Sequence, residues 1–122
     1  MPVRIDHIAM PCRDPELSAR FLAGLFALPV EPDGADNEFR CVLLGGGTRV
    51  LFQPAASIAP HHLAFAVDPS QFAALVDALR ARGIAHGNDP EAPDNGELSD
   101  PLGGQGRVYF SDPDGHLYEA CC

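Results

Sequence analysis

The chain contains one segment twice. HIAMPCRDP begins at His7 and HLAFAVDP begins at His62, 55 residues later. Each is a short alternating strand that ends in Asp-Pro. Asp14 and Asp68 can each cap a helix whose first position, Pro15 or Pro69, needs no amide hydrogen. Behind the second cap, Phe72, Leu75, Val76 and Leu79 recur at helical spacing, and Gly83 is a natural stop. Behind the first, Leu17, Phe21 and Leu25 keep the i+4 interval. Each helix is followed by a hairpin, over residues 39–53 in the first half and 107–121 in the second. In the first, Gly45-Gly46-Gly47 makes the turn. In the second, Asp112-Pro113-Asp114-Gly115 supplies reversal chemistry.

Each half therefore reads as a βαβββ module, its third element weakest in sequence, near residues 29–32 and 84–86. The modules span residues 1–57 and 61–122, joined through PAASIAP at 54–60. The predicted class is α+β, one domain of two tandem modules. Each helix covers one face of its sheet and leaves the other face to a cleft. The second half is longer by a Pro-, Gly-, Asp- and Asn-rich loop at 87–106, read either as a lid or specificity segment or as a plain disordered connection.

Period-2 geometry then sorts the faces. His7 shares a side with Ala9, opposite Ile8 and Met10. His62 shares a side with Ala64 and Ala66, opposite Leu63, Phe65 and Val67. If Gly47 and Gly115 are equivalent turn positions, Glu119 aligns with Leu51. The repeat thus directs His7, Leu51, His62 and Glu119 toward one cleft. Two imidazoles and a carboxylate converging there can hold a divalent cation with positions left open. The alternative is two hydrogen-bonded strand histidines and a solvated edge carboxylate.

Composition excludes several classes. The net charge is −9, and all eight cations are arginine. That balance opposes nucleic-acid binding, and the absence of lysine removes Schiff-base and Walker-lysine chemistry. No apolar run reaches membrane-spanning length, and the N-terminus has no signal-peptide pattern, so the expected location is cytoplasmic, with no membrane partner. Cys12, Cys41, Cys121 and Cys122 are read as reduced thiols.

The motifs DHIAM at 6–10, HHLAF at 61–65, the two Asp-Pro helix starts and VYFSDPDGHLYEA at 108–120 resemble the vicinal oxygen chelate superfamily. This group includes glyoxalases, bleomycin-resistance proteins and extradiol dioxygenases, and the resemblance covers essentially the whole chain. It implies paired βαβββ modules and one divalent metal ion (Fe2+, Mn2+, Zn2+ or Ni2+) held by His7, His62 and Glu119. It further implies a small oxygenated substrate that chelates the metal, and a homodimer in which modules pair within or across chains. Glu119 and Tyr109 are the implied catalytic residues, Tyr109 also lying near substrate. Phe39, Cys41, Leu51 and Gln53 are expected to shape the pocket, with Leu43 continuing the β-alternation of Phe39 and Cys41.

Departures narrow the activity. Glyoxalase I enzymes usually carry a carboxylate where this chain has Leu51, although Gln53 shares that face. Fosfomycin-modifying transferases carry a threonine where this chain has Ala9, and a basic cluster of which only Arg107, Arg40 and Arg49 remain as candidates. The additional histidines of the dioxygenases have no clear counterpart. His61 reads as structural, His116 as solvent-facing in the turn, and His86 as a weak-strand residue beside the long loop. A non-catalytic, bleomycin-resistance-like binder of cationic drugs is the alternative, and the negative charge suits it.

Overall fold

A computed structural model describes residues 2–122. The chain divides into two compact units, one ending at Ala59 and one spanning Pro60–Cys122.

The first unit contains β1 (His7–Cys12), α1 (Pro15–Phe26), β2 (Val30–Asp33), β3 (Phe39–Leu43) and β4 (Arg49–Pro54), with a short 3-10 turn at Gly45–Gly47. The sheet order is β1-β4-β3-β2. β1 and β4 run parallel, and the other pairs are antiparallel. The Asp14 carboxylate accepts the Glu16 and Leu17 amides, and Pro15 opens the helix as expected. Helix α1 lies against β2, β3 and β4. Its buried residues are Ser18, Ala19, Leu22, Ala23 and Leu25, whereas Leu17 is 65% exposed. The i+4 series thus chose the wrong start. Leu22 and Leu25 form the apolar stripe, completed by small residues that a hydrophobic count passes over. Met10, Cys12, Val42, Val50 and Phe52 bury the facing strand residues, each large side chain contributing about 1.5–3 kcal/mol.

The second unit contains β5 (His62–Ala66), α2 (Pro69–Ala81), β6 (Arg107–Ser111) and β7 (Leu117–Cys121), in the sheet order β5-β7-β6. A full capping box starts α2. Asp68 accepts the Gln71 amide at 2.7 Å, and the Gln71 side chain accepts the Asp68 amide at 3.1 Å. Leu75, Val76 and Leu79 are buried, Phe72 is half-buried, and Gly83 takes the left-handed conformation just past the end.

The expected strand near residues 84–86 is not formed. A single antiparallel bridge, Gly87 to Tyr109, stands in its place, with amides donating in both directions at 3.2 and 2.7 Å. The chain leaves the sheet immediately after Gly87, because Asn95 lies against it. A Cβ at Gly87 would sit 2.2 Å from the Asn95 side-chain oxygen. The loop that follows is bonded to itself rather than disordered. Gly96 donates to His86 O, and the Asn88 amide group donates to Ser99 O.

Candidate functional site

The two parallel pairings test the proposed equivalence of the modules. In the first, Ala9 lies opposite Leu51, and Leu51 lies opposite Cys41. In the second, Ala64 lies opposite Glu119, and Glu119 lies opposite Tyr109. Leu51 and Glu119 therefore hold matching positions, as do Cys41 and Tyr109. The alternating exposure of β1 and β5 puts His7, Ala9, His62, Ala64 and Ala66 on the more open faces.

The second module assembles a polar cluster. His62 Nε2 and Glu119 Oε1 are 2.9 Å apart. His62 is half exposed, while Glu119 is 6% exposed. Tyr109 packs beside both, its ring centre 6.1 Å from that of His62. Burial, and then hydrogen bonding to the Glu119 carboxylate, push the Tyr109 phenol above its ordinary pKa. It is a proton donor at neutral pH.

Arg107 completes the cluster. One guanidinium nitrogen, Nη1, donates to Glu119 Oε2. The other edge is held by Asp100, from Nε to Oδ1 at 2.8 Å and from Nη2 to Oδ2 at 3.3 Å. Asp100 chiefly, then Glu119, hold the guanidinium firmly protonated, and Arg107 keeps the Asp100 carboxyl below its ordinary pKa. From sequence, Arg107 is a candidate only for the basic cluster of the fosfomycin-modifying transferases, and nothing points to Asp100. Strand alternation carried the missing signal for Arg107, which shares the face of Tyr109. Asp100 sits in an irregular loop, where no periodicity points inward.

In the first module, His7 Nδ1 faces the Asp6 carboxylate at 2.8 Å. A carboxylate at Nδ1 fixes the proton there and leaves the lone pair on Nε2, the arrangement typical of metal-ligating histidines. Arg49 bridges Asp6 and Asp33, and Cys41 Sγ approaches Asp33 at 3.5 Å. Burial first, and then Asp33, raise the Cys41 thiol, so it stays protonated. Phe39, Leu51 and Gln53 are half-buried on the same face as Cys41.

The other histidines separate from the cluster. His116 is fully buried rather than solvent-facing. Its Nδ1 accepts the His61 amide at 2.9 Å, and its own amide donates to Asp112 Oδ1. The turn has folded its histidine inward to satisfy the start of β5. His61 is exposed and stacks edge-on against His116, and His86 Nδ1 faces the Ile84 carbonyl at 2.9 Å.

Two donors each about 2.1 Å from one ion, at roughly right angles, stand about 3 Å apart. The spacing of His62 Nε2 and Glu119 Oε1 fits that requirement. Among the described residues, no group of three or more His, Cys, Asp or Glu side chains converges closely enough to hold an ion by itself. No described helix is long and apolar enough to cross a membrane.

Residues 7–121 match the family model described as a glyoxalase-like domain. The solved structure titled Oxidase ChaP-H2 is 31% identical, with a TM-score of 0.90 over 99% of this chain and 94% of its own. Oxidase ChaP-H1 is 34% identical, with a TM-score of 0.89 over 98% and 95%. The fosfomycin resistance protein FosX from Listeria monocytogenes shares the fold at 20% identity, with a TM-score of 0.71 over 99% and 93%. No curated protein sequence matches the chain significantly. With its repeated strand–helix starts and its Asp-Pro-Asp-Gly hairpin, the chain belongs to the glyoxalase-like domain family, within the vicinal oxygen chelate superfamily.

Proposed function

We propose that this protein is a divalent-metal-dependent enzyme acting on a small oxygenated substrate that chelates the metal. The 2.9 Å approach of His62 Nε2 to Glu119 Oε1 carries the reading. His7, at the matching position of the first module, is the third ligand, with its lone pair set by Asp6. Fe2+, Mn2+, Zn2+ and Ni2+ all suit two imidazoles and one carboxylate. The oxidase names of two relatives above 30% identity favour an oxidation, with dioxygen as electron acceptor, over a lyase or thiol-transfer reaction.

When bound, the cation supplies Lewis-acid stabilisation of charge on the chelating oxygens. The chain's own residues do the rest. Tyr109, protonated at neutral pH, donates a hydrogen bond to a substrate oxygen beside Glu119. Ala64 and Ala66 leave room on the His62 face. Phe39, Cys41, Leu51 and Gln53 supply an apolar-to-polar wall in the first module, and Cys41 remains a neutral thiol there.

The decisive measurement is metal content and turnover after reconstitution, across catechols, α-keto aldehydes with thiols, and cationic drugs, with and without chelator. Metal-dependent turnover that disappears in His62→Ala is expected. A second reading, drug sequestration without chemistry, draws on the Arg107–Glu119 ion pair, which balances the carboxylate with no cation bound. Tight drug binding indifferent to chelator, with no turnover, would establish it instead.

The functional unit is a homodimer, as in family members of this length, with no nucleic-acid or membrane partner and a cytoplasmic location. His7 comes from the same chain or from the second copy. Mixing His7→Ala with Glu119→Gln protein separates the two. Sites shared across chains recover about a quarter of the metal binding through random pairing of subunits, and unshared sites recover none. A monomeric mass with metal bound would count against the dimer.

A further inference from the structure

Asp100 lies in the long loop, yet its side chain is only 3% exposed. It is the most heavily bonded carboxylate near the site. Oδ1 accepts Arg107 Nε at 2.8 Å and the Leu102 amide at 2.9 Å. Oδ2 accepts Arg107 Nη2 at 3.3 Å and the Gly104 amide at 3.0 Å. Gly104 belongs to this cradle by necessity, since a Cβ there would sit 2.3 Å from Asp100 Oδ2 and 2.6 Å from the Cys122 carbonyl oxygen.

The cradle decides how the guanidinium meets Glu119. With its Nε–Nη2 edge held by Asp100, Arg107 reaches Glu119 through Nη1, which goes to Oε2. Oε1 is left toward His62. An unrestrained guanidinium beside a carboxylate prefers the fork, two parallel bonds to both oxygens. The charges point the same way. Glu119 and Arg107 cancel as a pair, and Asp100 returns the cluster to net negative. Without Asp100, a cation approaching Oε1 meets a pair of zero net charge in place of a net negative cluster, in a largely buried setting where that difference counts.

We propose that Asp100 is a positioning residue that confines Arg107 to one oxygen of Glu119, and so keeps the other oxygen, the one facing His62, available to a cation. The inference rests on the metal-site reading above. It explains how a carboxylate in contact with an arginine serves as a ligand, and it gives the 87–106 loop a defined part in the site.

The test uses the full chain as wild type, Asp100→Asn, Arg107→Met and the double variant, read by Mn2+ affinity in equilibrium dialysis and by crystal structures of the metal-free proteins. Asp100→Asn is expected to weaken Mn2+ binding by at least about 10-fold, and adding Arg107→Met is expected to restore most of it. A merely structural Asp100 gives no such rescue. The metal-free Asp100→Asn structure is expected to show Arg107 spanning both Glu119 oxygens. Should Asp100→Asn not fold, Gly104→Ala displaces the Asp100 carboxylate with its charge intact and is expected to release Arg107 in the same way. Unchanged affinity in the single variant, no recovery in the double variant, or Arg107 still confined to Oε2 overturns the proposal. If the wild type binds no Mn2+, Fe2+, Zn2+ or Ni2+, the metal reading has failed, and the metal-free structures alone decide the role of Asp100.

Discussion

Leu51 and Glu119 are the same residue position written twice. Leu51 sits between Ala9 and Cys41 in its sheet, and Glu119 sits between Ala64 and Tyr109 in the other. One copy carries the carboxylate and the other carries an apolar side chain of similar reach. Leu51→Glu should therefore set a carboxylate beside His7 as Glu119 stands beside His62. The expected result is Mn2+ binding tightened by about 10-fold or more, an effect on the scale of a single metal-site partner. Isothermal titration checks it. Unchanged affinity would show that register equivalence does not extend to ligand equivalence.

Tyr109→Phe removes the phenol and keeps the ring. Turnover is expected to fall roughly 100-fold, within the range of a lost proton or hydrogen-bond donor, while Mn2+ affinity, which loses only the phenol's bond to Glu119, falls by no more than about 10-fold. An equal loss of both would instead make Tyr109 a brace for Glu119. Steady-state kinetics beside metal titration separates these outcomes.

The hairpin turn offers a stability prediction away from the chemistry. Tyr118 and Asp112 are both buried, and the Tyr118 hydroxyl donates to Asp112 Oδ2 at 3.0 Å. Tyr118→Phe leaves that oxygen without this donor, and a loss of about 1–3 kcal/mol is expected. Urea denaturation reads it. A change confined to metal affinity, with stability untouched, would contradict the assignment.

Acid should destabilise the fold. Asp6, Glu16, Asp33 and Asp100 all have carboxyls held below the ordinary carboxylate range. The leading causes are hydrogen bonds from His7, Arg40, the Gly34 amide and Arg107 respectively. A lowered folded-state pKa contributes stability that is present above the unfolded value and lost as pH falls through the folded one. Melting temperature is expected to drop as pH falls below about 4.5, more steeply in low salt because the Asp6, Glu16 and Asp33 carboxylates are near solvent. A flat profile down to pH 3 would refute it.

Strand alternation and the repeat made most of the fold readable. His7 and His62 sit on their open faces and Met10 in the core, because a period of two leaves a strand residue only two choices. The repeat aligns Glu119 with Leu51, and each stands opposite the alanine of its parallel neighbour. Helix α1 departs from its i+4 pattern at Leu17, since Ser18, Ala19 and Ala23 bury without being conspicuously apolar. The fourth strand of the second sheet failed because a close approach by Asn95 turns the chain away after one bridge, and that contact is invisible to local propensity. Turn residues usually face water, which is what the sequence predicts for His116, but its ring is buried and bonded to the start of β5. Asp100 was beyond reach, since its role depends on a loop folding back over Arg107.

The single bridge at Gly87 has a wider consequence. Gly87 is tied to Tyr109, and Leu98 accepts the Arg107 amide at 3.0 Å, so the intervening stretch leaves and rejoins the same strand edge. Closing such a loop costs only about 0.6 kcal/mol more when its length doubles. Residues 88–97 thus form a cassette with stitched ends. It can be lengthened, shortened or exchanged to redraw the surroundings of the site, while β5 and β7 keep His62 and Glu119 in register. Diversification of ligand preference in such a chain can proceed by splicing, without touching the residues that do the chemistry.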